Sequence, residues 1–466
     1  MAEKFNIDNL QKKDRIHFIG VGGVSMSALA EILLTKGFQV SGSDRETSPG
    51  VRKLQKLGLT FYLGQEASHV MEATLVVFTA AISDDNPELV AARQQGIQTI
   101  TRSELLGAIM KDYPYSIAVS GTHGKTTTTS MLAEILLADS CDPTILVGGN
   151  LKTIGGNLKL GQGPYFLAEA CEYCRSFLDF FPYCAVVLNA EPDHLDYYKD
   201  KEDYQGAFRD FVKQVSYDGF LAVNADDADV MDITKEAADM KLVRFGIAAE
   251  HLDVAARNIR KEDGKIRYDL EVQNNVLTTV TLQVSGSHNI LNSLAALSIA
   301  YGLGLDMHKS ARALAKYSGV DRRFQYKGRC VGADVYDDYA HHPTEIKATL
   351  AAAQQLGYRK IWCVFQPHTY SRTKEFFDGF AHAFSGVDTL ILADIFAARE
   401  IDDGSISSKM LAGEIKQSGI PTFYMKNFDD IVAYLKEYAE PGELIITMGA
   451  GDVTKISDML TEGDRS

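Results

Sequence analysis

A six-residue loop, Gly121-Thr122-His123-Gly124-Lys125-Thr126, constrains this chain more than any other feature. It joins an apolar strand pattern, Tyr115 to Gly121 (YSIAVSG), to a helical pattern that continues from Thr127 through TTSMLAEILLA. Successive backbone N–H groups in such a turn, together with the positive end of the helix, form a concave anion site. Glycines let the backbone approach a phosphate with no Cβ in the way. Lys125 supplies a point charge for β and γ phosphates, and the Thr126 hydroxyl is placed for Mg²⁺. A chance glycine-rich turn containing Gly-Lys-Thr is the plain alternative, and the strand–loop–helix setting argues against it.

The same strand–turn–helix pattern occurs twice more, at Arg15 to Gly20 (RIHFIG) and at Ile361 to Phe365 (IWCVF). Short apolar strands alternating with helices indicate βαβ units and largely parallel sheets. Breaks at Lys111 to Tyr115 and at Tyr317 to Arg323 divide the chain into expected domains 1–112, 113–320 and 321–466. The expected fold is α/β: an N-terminal Rossmann-like domain, a central P-loop ATPase-type domain and a C-terminal Rossmann-like domain. Between 252 and 284 the runs KIRYDLEV and LTTVTLQV alternate polar and apolar residues, which predicts a local antiparallel hairpin patch.

The 466 residues carry 47 basic and 62 acidic side chains, a net charge of −15. That balance opposes binding to nucleic acid or anionic lipid, so any phosphate must be gripped locally. No apolar run reaches the roughly 20 residues that span a bilayer, and the opening MAEKFNIDNLQKKDR has no secretory pattern. Six cysteines with one CxxC, Cys171 and Cys174, complete neither a disulfide framework nor a zinc site. The expected compartment is the reducing cytoplasm, with no membrane insertion.

Near the N-terminus, Gly20-Val-Gly22-Gly23-Val-Ser25 follows a strand and opens a helix, with Ser43 and Asp44 ending the next strand. On its own this reads as a dinucleotide fingerprint and raises an NAD-dependent oxidoreductase as one function. A UDP-sugar offers the same chemistry, a pyrophosphate for the helix end and a ribose for the acid. Thr79, in the TAAI turn ending at Ile82, and Arg102 complete the expected pocket.

Only four residues, Gly121 to Gly124, precede Lys125, a spacing shorter than the ordinary P-loop. This compact form resembles the Mur ligase and folylpolyglutamate synthetase superfamily, and matching motifs along nearly the whole chain resemble the Mur ligases in particular. The resemblance implies ATP binding by Gly121, Thr122, His123, Gly124, Lys125, Thr126 and Thr127. In LAEACEYCRSF it implies that Glu169 holds Mg²⁺, and in NAEPDHLDYY that His194 is a metal ligand supported by Asn189. SGSHNILNSLAAL places Asn292, with His288 beside it, at adenine. DRRF offers Arg323 to the γ-phosphate, and DDYAHHPTEI offers Asp338 to ATP and His341 to the incoming amino acid. FQPHTYSRT places His368 and Arg372 on the amino-acid and intermediate side.

The activity so implied is ATP-dependent joining of L-alanine to UDP-N-acetylmuramate through an acyl phosphate, a step of peptidoglycan synthesis. The protein would act as a monomer or homodimer, with the C-terminal domain closing on ATP and amino acid. The catalytic residues would be Lys125, His341 as a candidate base, and Arg372. This chain departs from the family pattern in three places. EACEYC stands where many relatives have EADESD, Thr369 stands where many have arginine, and Phe208 occupies the approximate place of a carbamylated lysine. Against the metal and acceptor roles stand plain readings: His194 in a surface pair with Asp193, His341 and His342 as exposed loop histidines, Arg322 and Arg323 as surface charges. The rival functions are a ligase that attaches a peptide to the same sugar nucleotide, a nucleotide-driven switch, and the oxidoreductase.

Overall fold

The computed structural model describes residues 5–462 except 238, 263–264 and 399. The chain forms two compact units. The first holds Met1–Glu191, Gln205–Asp253 and Ala295–Ser310; the second holds Pro192–Tyr204, Val254–Leu294 and Ala311–Ser466.

The first unit begins with five strands, β1 (Arg15–Ile19), β2 (Gln39–Asp44), β3 (Thr60–Leu63), β4 (Leu75–Phe78) and β5 (Gln98–Thr101). They form an all-parallel sheet in the order β3-β2-β1-β4-β5. The order turns outward from β1 in both directions, so the carboxyl ends of β1 and β4 flank a switch point, where open α/β sheets bind ligands. Seven further strands follow: β6 (Tyr115–Ser120), β7 (Thr144–Leu151), β8 (Gly156–Lys159), β9 (Tyr165–Ala170), β10 (Cys184–Val187), β11 (Phe220–Asn224) and β12 (Leu242–Gly246). They run in the order β12-β11-β10-β6-β9-β7-β8, all parallel except β8. β6, β10 and β11 are almost wholly apolar and buried on both faces, as parallel strands covered by helices require.

Several contacts tie these two sheets together, among them a bond from the Asn157 amide to the Val24 carbonyl at 3.1 Å and one crossing of helical elements. The helix Arg102–Met110, started by a capping box between Thr101 and Glu104, passes over the short helical turn Tyr173–Asp179. A Cβ built on Gly107 would lie 2.1 Å from the Asp179 carbonyl oxygen. Gly107→Ala is therefore expected to force the two elements apart and cost about 1–3 kcal/mol, the usual range for overpacking. A lowered denaturation midpoint checks this; an unchanged midpoint would show that the packing yields freely.

In the second unit, β13 (Val254–Glu262), β14 (Lys265–Val272) and β15 (Asn275–Leu282) form the expected antiparallel patch. Residues of β14 alternate between partly exposed and buried, as the sequence KIRYDLEV predicts. The remaining strands are β16 (Gln325–Cys330), β17 (Ala333–Asp338), β18 (Ile361–Phe365), β19 (Thr389–Leu392), β20 (Thr422–Tyr424) and β21 (Leu444–Met448). Their order is β16-β17-β21-β18-β19-β20, parallel except for β16. Ile361, Cys363 and Phe365 face one core and Trp362 and Val364 the other, so β18 is buried on both sides. Among the described residues no helix is long and apolar enough to cross a membrane.

Candidate active site

The loop 121–126 lies between β6 and the helix Lys125–Ala138, as its sequence requires. Gly121 has φ +138°, and a Cβ there would lie 2.9 Å from the Leu188 Cβ, so only glycine fits. Gly124 caps the helix with φ +84°. Asn189, just past β10, braces the loop in both directions: its Oδ1 accepts from the His123 N–H at 2.8 Å and its Nδ2 donates to the His123 carbonyl at 3.2 Å. The Thr122 hydroxyl donates to the Glu191 carbonyl at 2.6 Å, and the His123 ring lies 3.2 Å from the Glu191 carboxylate. The loop is thus preformed around its backbone amides.

Three acceptors surround the Lys125 ammonium: the Gly121 carbonyl, the Thr122 carbonyl at 3.0 Å and the Glu172 carboxylate at 2.8 Å. Burial opposes its charge, but Glu172, Cys171 and Glu169 together outweigh burial and hold the ammonium above its ordinary range. The next hydroxyl, Thr126 Oγ1, donates to Glu169 Oε2 at 3.0 Å, and Glu169 also accepts from the Gly148 N–H. A Cβ at Gly148 would lie 2.9 Å from Glu169 Oε1, so this glycine leaves room around the carboxylate. A hydroxyl and a carboxylate oxygen side by side at a strand's carboxyl end form an oxygen donor set that fits Mg²⁺. Phe208, by contrast, is fully buried against Phe177 with ring centroids 5.2 Å apart, so hydrocarbon fills that position.

At the N-terminal glycines, Gly22 N–H donates to Asp44 Oδ2 at 2.8 Å, and a Cβ on Gly22 would meet that oxygen at the same distance. Gly20 has φ +81°, and Ile82 approaches it, which brings the Thr79–Ile82 turn to the loop. Gly23 caps the helix Val24–Thr35. Ser43 does not join this group. It is buried, and its hydroxyl donates to Glu88, which is also 2.7 Å from His69. Strand side chains alternate faces, so Ser43 points away from Asp44. Arg102 sits close enough to the half-buried Cys171 thiol to act on its charge, as does Lys125. Burial and Glu172 nevertheless push that thiol up to about 11.

In the second unit, Arg372 and Asp193 form a buried ion pair, with Nη2 at 3.1 and 3.3 Å from the two carboxylate oxygens. Arg372 also lies 3.3 Å from His368 Nδ1 and 3.4 Å from His194 Nδ1. Burial would raise the Asp193 pKa, but His194, Arg372 and His341 outweigh it and hold the carboxyl far below its ordinary range. His194, Leu195, Asp196, Ser371, Lys374, Glu375 and Phe376 join this pair around a cleft of about 260 Å³. Both sides of the cleft carry backbone strain: His194 has φ +56° and Thr369 has φ +65°. Thr369 caps the helix Tyr370–Glu375 by accepting from the Arg372 N–H, so its hydroxyl helps to orient that arginine.

The other C-terminal candidates gather around Glu345. His341 lies 3.3 Å from its carboxylate and Arg323 lies 4.0 Å from it, while Arg322 and Arg323 both stack on Tyr339. Burial pushes His341 down to about 4 despite Glu345, which leaves the imidazole neutral near pH 7 but a weak base. Asp338 is turned inward. It accepts from the Phe324 and Ala340 N–H groups and the Thr349 hydroxyl, and burial raises it to about 6. These bonds make Asp338 a brace under the Arg322–Phe324 turn, where both end residues have positive φ. Asn292 is buried and donates to Asn289 at 3.0 Å, one turn along the helix from the exposed His288.

Sequence reasoning missed Glu172, Asp193 and Glu345 as partners of the cationic candidates. Asp193 stands inside the quoted PDH run, and Glu345 follows His341 by one helical turn, so both had a local signal. Glu172 had none beyond lying in the divergent CEYC segment.

Three family models match the chain in succession: "Mur ligase family, catalytic domain" over residues 15–114, "Mur ligase middle domain" over 119–300 and "Mur ligase, glutamate ligase domain" over 322–451. A UDP-N-acetylmuramate–L-alanine ligase of Clostridium novyi is 50% identical over 99% of this chain and 100% of its own length. The enzyme of that name from Acetivibrio thermocellus is 49% identical over 98% of this chain and 97% of its own. Among solved structures, UDP-N-acetylmuramate–alanine ligase from Thermotoga maritima matches with a TM-score of 0.80 and 28% identity, covering 96% of this chain and 98% of that one. A murein peptide ligase from Psychrobacter arcticus matches with a TM-score of 0.73 and 26% identity, with the same coverage.

Proposed function

Because this chain belongs to the Mur ligase family, with its three-domain α/β fold, we propose that it joins L-alanine to UDP-N-acetylmuramate with hydrolysis of ATP. The observation that carries the reading is the braced loop 121–126, whose lysine already grips a carboxylate. We place the domain boundaries at 1–112, 113–320 and 321–466, with sugar nucleotide, ATP and amino acid as their respective main ligands.

A carboxylate resists attack by an amine because oxide is a poor leaving group. Transfer of the γ-phosphate to the sugar-nucleotide carboxylate gives an acyl phosphate and ADP. The amine of L-alanine then attacks the acyl carbon, and a tetrahedral intermediate collapses to amide and inorganic phosphate. Bringing a carboxylate to a polyphosphate meets repulsion of about 4 kcal/mol per charge pair at 4 Å with an effective dielectric of 20. Lys125 and Arg323 are the side chains assigned to offset it. Thr126 and Glu169 would hold Mg²⁺, with His194 as a further metal ligand, and the ion would neutralise charge on the transferred phosphoryl group. Arg372, held in place by Asp193, is assigned to the amino-acid carboxylate and the intermediate. His341, neutral and weakly basic, serves better to orient the nucleophile by hydrogen bonding than to store its proton. Gly20, Gly22, Gly23, Asp44, Thr79 and Arg102 are assigned to the UDP-sugar.

The test is phosphate release with ATP, Mg²⁺ and UDP-N-acetylmuramate, run with L-alanine, L-serine, glycine and a murein tripeptide in turn. L-alanine is expected to give the highest kcat/KM. Preference for the tripeptide would support the peptide-adding alternative instead, which the Psychrobacter arcticus neighbour keeps in view. Phosphate release that needs no acceptor would favour the switch.

A further inference from the structure

The proposed reaction gives Glu172 no part, yet its carboxylate touches the loop with its side chain only 1% exposed. An ammonium has three N–H donors. Two of those on Lys125 serve the carbonyls of Gly121 and Thr122, which belong to the loop itself, and the third is the one that can turn to a ligand. In this structure Glu172 Oε2 takes it at 2.8 Å. The carboxylate is pinned there by a strained turn. Cys174 and Arg175 are consecutive left-handed residues with φ +52° and +54°, and hydrogen bonds run from Arg175 N–H to the Glu172 carbonyl and from Phe177 N–H to the Cys171 carbonyl. Strain of this kind in non-glycine residues is held in place by its surroundings and concentrates at functional positions.

We propose that Glu172 is a positioning residue of the phosphate loop, an internal anion that occupies Lys125 and competes with an incoming polyphosphate for it. The proposal rests on the reading that residues 121–126 bind ATP. Drawing a cation away from a buried carboxylate is unfavourable, so Glu172 weakens each ligand whose phosphate reaches Lys125. It also returns the lysine to the loop when ADP leaves. A ligand without phosphates does not feel the competition.

Calorimetric titration of the full chain with ATP, ADP and adenosine tests this. Glu172→Gln is expected to bind ATP and ADP roughly tenfold more tightly than the parent, the size of a typical coupling between contacting groups. Adenosine affinity should not change, and kcat should fall as ADP release slows. In a Lys125→Met background the same substitution is expected to change nothing, because the competed-for cation is gone. Glu172→Asp, which retracts the carboxylate by one methylene, should shift affinity in the same direction and covers the case in which the glutamine variant fails to fold. Unchanged or weaker ATP binding in the variants, or an equal gain in the Lys125→Met background, overturns the proposal while leaving the ATP reading intact. Absence of ATP binding by the parent protein overturns the ATP reading, and this inference with it.

Discussion

Replacing Lys125 by alanine is expected to reduce substrate-dependent phosphate release by about 10³-fold or more while the protein stays folded. The ammonium is the cation that the loop itself supplies, and the loop's other polar side chains are engaged elsewhere: His123 turns to Glu191, and Thr126 turns to Glu169. Some stability should be lost as well, because the buried Glu172 carboxylate is left without this counter-ion. The measurement is single-turnover phosphate release alongside a denaturation curve. A variant that keeps even a tenth of parental turnover would remove Lys125 from the chemistry.

Asp193→Ala is expected to have the largest effect on both stability and turnover together. Its carboxylate and the Arg372 guanidinium are 6% and 9% exposed, and the arginine's other close neighbours are two histidines. Deleting one member of a buried ion pair strands the other, typically at a cost of about 3–5 kcal/mol. Guanidinium cannot escape by losing a proton. The variant should therefore unfold at markedly lower denaturant, and what remains folded should turn over poorly because Arg372 has lost its fixed orientation. The double variant Asp193→Ala, Arg372→Ala should recover much of the stability and none of the activity. If Asp193→Ala alone were as stable as the parent, the pair would be an incidental contact.

The fold was legible where chemistry repeats locally. IWCVF reads as a strand covered on both faces, KIRYDLEV as one covered on a single face, and the hexapeptide at 121 as a loop between strand and helix; each pattern spans fewer than about ten residues, the scale on which periodicity acts. The pairings that organise the candidate site are of another kind. Lys125 meets Glu172 across 47 residues and Arg372 meets Asp193 across 179. Nothing in the local pattern of either member encodes its partner. Ser43 and Asp338 show a second limit. At the end of a strand, one position of register decides whether a polar side chain faces a cleft or the interior, and composition alone does not reveal the register. Asp338 turned inward to hold the Arg322–Phe324 turn, and Ser43 turned inward to Glu88, while Asp44 beside it stayed at the glycines.

The left-handed backbone at His194 and Thr369 also bears on anyone seeking a hardier version of this protein. Each costs on the order of 1 kcal/mol relative to a relaxed conformation, and glycine would relieve it. Yet glycine at 194 deletes an imidazole beside Arg372, and glycine at 369 deletes the hydroxyl that caps the helix carrying that arginine. The cheapest gains in robustness on this chain therefore fall where they would disarm it, and thermal hardening is better sought on the outer helices.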